Sequence, residues 1–277
     1  MACGVLLFAW KDALVKLTGG YYSPILIMWI QFVFMSAIWL PILVYQNGWN
    51  WLIPKPLVWQ SARGLSLVIG MGLFYWSVLL IPLTDATAMA LISPLIVTAL
   101  STLMLDEKVG IHRWGAVIIG FMGALILLRP AFAGESLGYA IAFGSGICIG
   151  FFYATNRKLG RGSLPLASVV YPAYLSAIVL CPLIPFKWTP PRPEDTYIIV
   201  GFLILTAAGQ TMIISAFRYG QASLVAPFNY IQIVGAALFG YFIFSELPDP
   251  TTWTGVGVII LSGLYIAIRD HRISYSK

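Results

Sequence analysis

The chain has 277 residues, 60% of them hydrophobic and only 9% charged, with a formal net charge of +6. Soluble domains carry about 25% charged residues, so a water-soluble fold is excluded, and the long continuous apolar runs exclude the alternating strands of a membrane β-barrel. The basic residues are scattered between the runs, which excludes a nucleic-acid-binding patch.

Ten apolar segments follow one another at residues 3–18, 24–46, 57–81, 84–105, 111–128, 136–157, 165–186, 196–218, 222–244 and 251–269. Most are near the roughly 20 residues needed to cross a hydrocarbon core. The sequence therefore predicts an all-α membrane protein with ten transmembrane helices. The first is short and holds Lys11, Asp12 and Lys16, the only charges deep in a span. It does not read as a signal peptide, because Lys11-Asp12 interrupts it and no basic stretch precedes it. Asp12 and Lys16 are four apart, acid first, and so share a helix face. Two readings stay open: an ion pair inside the helix, or an Asp12 facing a central cavity, where it takes a proton or an amino group.

Gly19-Gly20, Pro24, Pro165 and Pro190-Pro191 act as start and stop signals. Trp49, Trp51, Trp59 and Trp188 read as interfacial belt residues. Asp85 follows Thr84 at the start of the fourth helix, where capping is its expected role. Pro94 and Pro227 fall in the fourth and ninth helices. Each frees a carbonyl about one turn back, which must face protein or a water-filled cavity rather than lipid. Asn156, Gln210 and Asn229 are uncharged polar groups that either tie helices together or, for the latter two, read polar groups of a substrate. Cys3, Cys148 and Cys181 lie far apart in apolar segments without metal spacing and read as small core residues.

A repeat runs through the chain. A shift of 141 places Pro24 on Pro165, Pro41 on Pro182 and Lys16 on Arg157; a shift of 139 places Glu107 on Glu246 and Trp114 on Trp253. The expected organisation is two repeats, 1–130 and 135–277. Five helices per repeat is an odd number, so the second enters the membrane the other way up, as in many secondary transporters. Eleven basic residues (Lys55, Arg63, Lys108, Arg113, Arg157, Lys158, Arg161, Arg218, Arg269, Arg272, Lys277) fall on the side of the termini, against four (Lys16, Arg129, Lys187, Arg192) on the other. The positive-inside rule then puts both termini in the cytoplasm. Glu107 and Glu246 end equivalent helices on opposite sides. A carboxylate there opposes the helix dipole and needs a partner; the first amides of the next helix are the expected one. Structural capping and gating are both open roles for them.

The segments "ATAMALISPLIVTALSTLMLDEKVGIHRWGAVIIGFMGALILL" and "ASLVAPFNYIQIVGAALFGYFIFSELPDPTTWTGVGVIILSG" share a pattern of small residues with proline, an apolar run, a Glu, a polar turn and a Gly-rich helix. With "KLTGGYYSPILIMWIQF", which carries Lys16 and Ser23-Pro24, they resemble the EamA-type drug/metabolite transporter family over essentially the whole chain. Where that family often has Arg, this chain has Trp29 to Gln31. The resemblance implies a ten-helix carrier exporting small metabolites. Within the family, the aromatic-rich helices look most similar to the exporter of aromatic amino acids.

The expected function is a secondary transporter in a bacterial inner (plasma) membrane, exporting small amphipathic metabolites, aromatic amino acids favoured, by alternating access at a cavity between the repeats. The alternative is a passive channel or facilitator. The expected substrate-binding residues are Tyr75, Trp76, Met89, Ser93, Tyr153, Gln210, Asn229 and Tyr230. Asp12 is the expected proton or amine site. Lys16, Pro94, Glu107, Pro227 and Glu246 are the expected structural or gating residues. No phosphate-binding loop, His-based triad or H-E-x-x-H pattern is present, so no enzymatic activity, cofactor or metal is expected. The expected partners are a small molecule and the bilayer, the protein acting as a monomer or weak homo-oligomer.

Overall fold

A computed structural model describes residues 1–104, 110–127, 136–160, 166–219 and 226–275. Among these, no residue is in a strand and helices dominate. The helices are α1 Ala2–Leu17, α2 Pro24–Asn47, α3 Leu57–Val78, α4 Leu83–Ala90, α5 Ser93–Met104, α6 Ile111–Leu127, α7 Ser136–Gly160, α8 Ala167–Leu180, α9 Ile184–Lys187, α10 Thr196–Tyr219, α11 Ile231–Phe244 and α12 Pro250–Tyr275. Six stretches are long and apolar enough to span a bilayer, and three shorter apolar helices lie at Trp114–Leu127, Phe228–Phe244 and Pro250–Ile266. With α1 these make ten crossings.

Local chemistry sets the boundaries. Gly19 and Gly20 adopt φ of 57° and 78° after α1, a left-handed turn that favours glycine. The Ser23 hydroxyl then accepts from the Ile25 amide at 3.3 Å, with Pro24 in the first helical position, as a capped helix start requires.

Three expected helices are interrupted where prolines withdraw amide donors. The fourth divides into α4 and α5. Pro94 sits in the first turn of α5 rather than kinking a continuous helix, and the Leu95 and Ile96 amides both turn back to the Ile92 carbonyl. The seventh keeps Pro172 inside α8, then passes through a 3-10 turn at Cys181–Leu183 into α9. The ninth begins as a 3-10 turn, Ala226–Tyr230, so Pro227 precedes α11 instead of bending it.

The largest interfaces all join a helix from before residue 128 to one from after residue 135: α3 with α7 and α8, α6 with α12, α1 with α10 and α11, α2 with α8, α4 with α7 and α11, and α5 with α7. Glycine makes the close crossings. A Cβ on Gly123 would stand 3.0 Å from the Gly255 carbonyl, and one on Gly255 3.0 Å from the Gly123 carbonyl. Gly4 and Gly209 pair in the same way between α1 and α10. On α7, Gly146 faces the Met89 carbonyl and Gly150 faces Ile96, so α7 lies directly against the α4–α5 break.

The exterior is apolar, with Leu103, Phe186 and Phe242 all exposed, as lipid permits. Cys3 and Cys181 are exposed too, and Cys148 is half-buried. The expectation that the cysteines are core residues is therefore corrected: an apolar thiol has no need of burial when its surroundings are hydrocarbon.

A Cβ at Gly146 would lie 2.4 Å from the Met89 carbonyl oxygen, whereas Gly257 has nothing within 4 Å. Gly146→Val is expected to destabilise by about 1–3 kcal/mol through overpacking, and Gly257→Ala to leave stability unchanged or slightly raised. Thermal unfolding of the detergent-purified variants checks both.

Candidate functional site

α1 is held between α10 and α11. Its backbone meets α10 at Gly4–Gly209, and Gly235 of α11 leaves room for Ala9. The face left over carries Lys11 and Asp12 into the protein, where they are 3% and 2% exposed. The flexible lysine stem lets Nζ curl back to Asp12 Oδ1, although consecutive helical residues point in different directions.

Three other helices complete a buried network around this pair. Lys11 Nζ donates to the Tyr75 hydroxyl of α3 at 2.9 Å, and that hydroxyl donates to Gln31 Oε1 of α2 at 2.7 Å. Gln232 Nε2 of α11 donates to Asp12 Oδ2 at 3.2 Å. The Lys11 ammonium lies 5.2 Å from the Phe8 and Tyr75 ring centres and 5.8 Å from that of Phe202, within cation–π range. A charge in a membrane span needs such partners.

A second cluster closes one end of the bundle. Lys16 Nζ donates to both carboxylate oxygens of Glu246 and, at 3.0 Å, to the Ile81 carbonyl. Glu246 Oε2 also accepts from the Leu83 amide at 3.3 Å, in the first turn of α4. Glu246 thus finds its amide at a helix from the other half of the chain, not at the start of the next helix. This arrangement also corrects the expected Asp12–Lys16 pair. Lys16 lies at the last turn of α1, within reach of the Glu246 carboxylate, while Lys11 occupies Asp12.

Asp85 is the third residue of α4 and does not cap it; Pro82 holds the cap position. Its carboxylate instead accepts from Tyr139 of α7 at 2.6 Å and from Thr252 of α12 at 3.1 Å. Arg63, counted above among residues near the membrane surface, is fully buried. It donates to Asn156 at 2.8 Å and to the Ala167 carbonyl at 3.4 Å, so Asn156 does tie helices together.

Among the expected substrate-binding residues, the structure brings Tyr75 into the central network. Met89 and Ser93 are buried where α7 covers the α4–α5 break. Trp76 and Tyr153 are 54% and 49% exposed and face outward; Trp76 follows Tyr75 by about 100° of helical turn, so the two cannot share one face. Gln210 and Asn229 are half-buried and stand apart from the network. Tyr230 is buried with its ring in the groove left by Gly263, and its hydroxyl has no hydrogen-bond partner among the described residues. The expectations for Glu107 lie outside the described residues, as does the side chain of Pro227. Sequence reasoning missed Lys11, Gln31 and Gln232 as functional candidates. The signals were there: Lys11 is as deep in the span as Asp12, Gln31 falls in the stretch that departs from the resembled family, and Gln232 is one turn from Asn229.

Residues 1–129 and 136–268 each match the profile of the EamA-like transporter family. The chain belongs to this family. It is 28% identical over 273 residues to the S-adenosylmethionine uptake transporter of Rickettsia bellii, covering 96% of this chain and 91% of that one. It is 28% identical over 239 residues to the riboflavin transporter of Vibrio cholerae, covering 86% and 80%. A pseudopaline exporter of Pseudomonas aeruginosa is 26% identical over 205 residues, covering 72% and 70%. A solved crystal structure at 16% identity superposes with a TM-score of 0.66 over 98% of this chain and 97% of that one, a likeness of fold. The EamA-family chain is thus a multi-pass membrane protein that transports a small molecule, not an enzyme. The relatives' names differ in both substrate and direction.

Asp12→Asn leaves the Lys11 ammonium buried without its counter-charge, and such a break costs about 3–5 kcal/mol. The double neutralisation Lys11→Gln/Asp12→Asn is expected to recover a large part of that loss. Thermal unfolding of the three variants checks the order: wild type, then double, then single.

Proposed function

We propose that the protein is a secondary carrier working by alternating access, built from two inverted five-helix repeats, 1–130 and 135–277, with both termini in the cytoplasm of a bacterial inner membrane. Two separate matches to one family profile support the duplication. The packing supports it as well. Exchanging the halves turns α3–α7 into α10–α1 and α4/α5–α7 into α11–α1, and returns α6–α12, α2–α8 and α4–α11 to themselves. That is the pattern a two-fold relation leaves. The charge tally supports the orientation, which puts Lys16 and Glu246 on the outer side.

The observation that carries the carrier reading is the Lys11–Asp12 network, a charged and hydrogen-bonding centre inside a span, reached by α1, α2, α3 and α11. Ionisable groups at such depth mark substrate or ion pathways. Tyr75 and Asp12 form the centre of the site in this reading; Met89, Ser93 and Tyr230, buried elsewhere in the bundle, are the residues that would line it once the halves rearrange. The substrates are small and amphipathic, and amino acids with an aromatic part are favoured. Export is the direction that the family resemblance implied, and the relatives include both an uptake transporter and an exporter. A carrier without its own energy source follows the larger gradient, so uptake and export are two uses of one device.

In this scheme Lys16 and Glu246 close the outer gate. Their repeat equivalents, Arg157 and Glu107, are the corresponding residues for the inner side. Counterflow in proteoliposomes tests the carrier reading: preloaded amino acid should drive accumulation of label. Passive equilibration without counterflow would overturn the reading in favour of a channel.

Glu246→Gln removes the charge that holds Lys16 and weakens acceptance from the Leu83 amide. In a background with Cys3, Cys148 and Cys181 replaced by Ser, a cysteine at the buried Ile27 should then react faster with a membrane-impermeant thiol reagent added outside. An unchanged rate would remove Glu246 from the gate.

A further inference from the structure

We infer that the Lys11–Asp12 pair is the binding site for the head of a zwitterionic substrate, with Asp12 receiving its ammonium, Lys11 its carboxylate, and the adjoining apolar cavity its flat remainder. The inference rests on the carrier reading and names the substrate class of that site.

The first argument is connectivity. Lys11 and Asp12 are sequence neighbours on one helix. Swinging the lysine stem aside frees both charges without separating any two helices, unlike Lys16–Glu246, whose partners come from α1 and from the end of α11. The second argument is capacity. An ammonium has three donors, and Lys11 spends two, on Asp12 and Tyr75; the rest of its surroundings are the faces of Phe8, Tyr75 and Phe202. Each Asp12 oxygen accepts one bond, from Lys11 or Gln232, and a carboxylate has room for about four. Both groups can take a guest while Tyr75, Gln31 and Gln232 hold them in place.

The third argument is charge balance. The Lys11–Asp12 pair is neutral as a unit because each charge balances the other. An amino-acid head also carries one charge of each sign on adjacent atoms. Exchanging the internal pair for two external ones leaves every buried charge matched. A guest with a single charge would satisfy one member and strand the other, which low dielectric makes costly.

The fourth argument is the neighbouring space. A cavity of about 40 Å³ with a mainly apolar lining lies between α1, α2, α10 and the segment around Trp188 and Pro191, and includes Leu14, Val15, Ile30 and Phe202. The Phe202 ring is shared: its centre is 6.4 Å from that of Tyr75, edge to face, and 5.8 Å from the Lys11 ammonium. Phe202 thus stands between the ion pair and the cavity, so the aromatic group of a guest would lie one ring away from its zwitterionic head.

The experiment measures counterflow for each of tryptophan, tryptamine, indole-3-propionate, indole, S-adenosylmethionine and riboflavin in liposomes containing the full chain. Tryptophan, which carries both head charges and no other, should be moved; S-adenosylmethionine, whose sulfonium charge would stay unmatched in the apolar cavity, should be weaker. Tryptamine and indole-3-propionate, each lacking one charge, should be roughly a hundredfold weaker. Asp12→Asn should abolish the preference for tryptophan over indole-3-propionate, and Lys11→Gln the preference for tryptophan over tryptamine. A purely structural pair would lower all rates together without changing these ratios. Asp12→Glu keeps the charge and should keep the ratios; together with the wild-type analogue series it decides the matter if a neutral variant does not survive purification. Equal movement of the single-charge analogues overturns the inference. Movement of riboflavin or indole without any zwitterion also overturns it while leaving the carrier reading intact. Absence of counterflow for every compound removes both.

Discussion

A charge placed in an apolar span must find a partner inside the protein, and here partners are drawn from across the chain. Lys16 on α1 meets Glu246 beyond α11, and Asp12 on α1 meets Gln232 on α11. Asp85 on α4 meets Tyr139 on α7 and Thr252 on α12, and Arg63 on α3 meets Asn156 on α7. Each contact ties the first half to the second. Apolar packing alone gives little preference for one neighbour over another, because lipid tails are as apolar as leucine. The polar contacts add specificity: they determine which helix ends face which, while glycine crossings set how near the helices come.

This division explains the shape of the site. α1 is short and carries three charges, a poor span on its own. Its partners compensate: α10 and α11 cover its small-residue face, and Tyr75, Gln31 and Gln232 take up the polar groups. The same Glu246 that neutralises Lys16 also offers an acceptor to the start of α4, whose Pro82 cap supplies no side-chain hydrogen bond. One carboxylate thereby serves a cation and a helix N-terminus, both of which favour negative charge.

The class of fold was legible because the bilayer imposes length and composition on every span. Ten apolar runs could be counted, and the irregularities at Pro94 and Pro227 could be located though not described, while the 3-10 turn at Pro182 was not foreseen: a missing amide tells where the ladder can fail, not whether the chain kinks, divides or turns 3-10. Side-chain placement was less legible. An adjacent pair such as Tyr75 and Trp76 offers two aromatic candidates, and only the packing of α3 against its neighbours decides which points inward. Asp12 and Lys16 were correctly seen as charges needing partners, but helical spacing favoured each other and the structure chose Lys11 and Glu246. A local rule ranks neighbours along one helix; it cannot weigh a carboxylate 230 residues away in sequence.

The distribution of backbone order bears on how such a transporter could move. At the α6–α12 crossing Gly123 and Gly255 bring the two backbones into direct contact, which leaves little slack between these helices. The α4–α5 break and the 3-10 turn before α11 are different. Both lack a continuous i to i−4 ladder. Bending there breaks fewer bonds than bending an intact helix. The α4–α5 break is covered by Gly146 and Gly150 of α7, which leave almost no space, so a change in its angle must displace α7 as well. α7 in turn packs on α3, which carries Tyr75. The physical chain from helix break to polar centre is thus two contacts long.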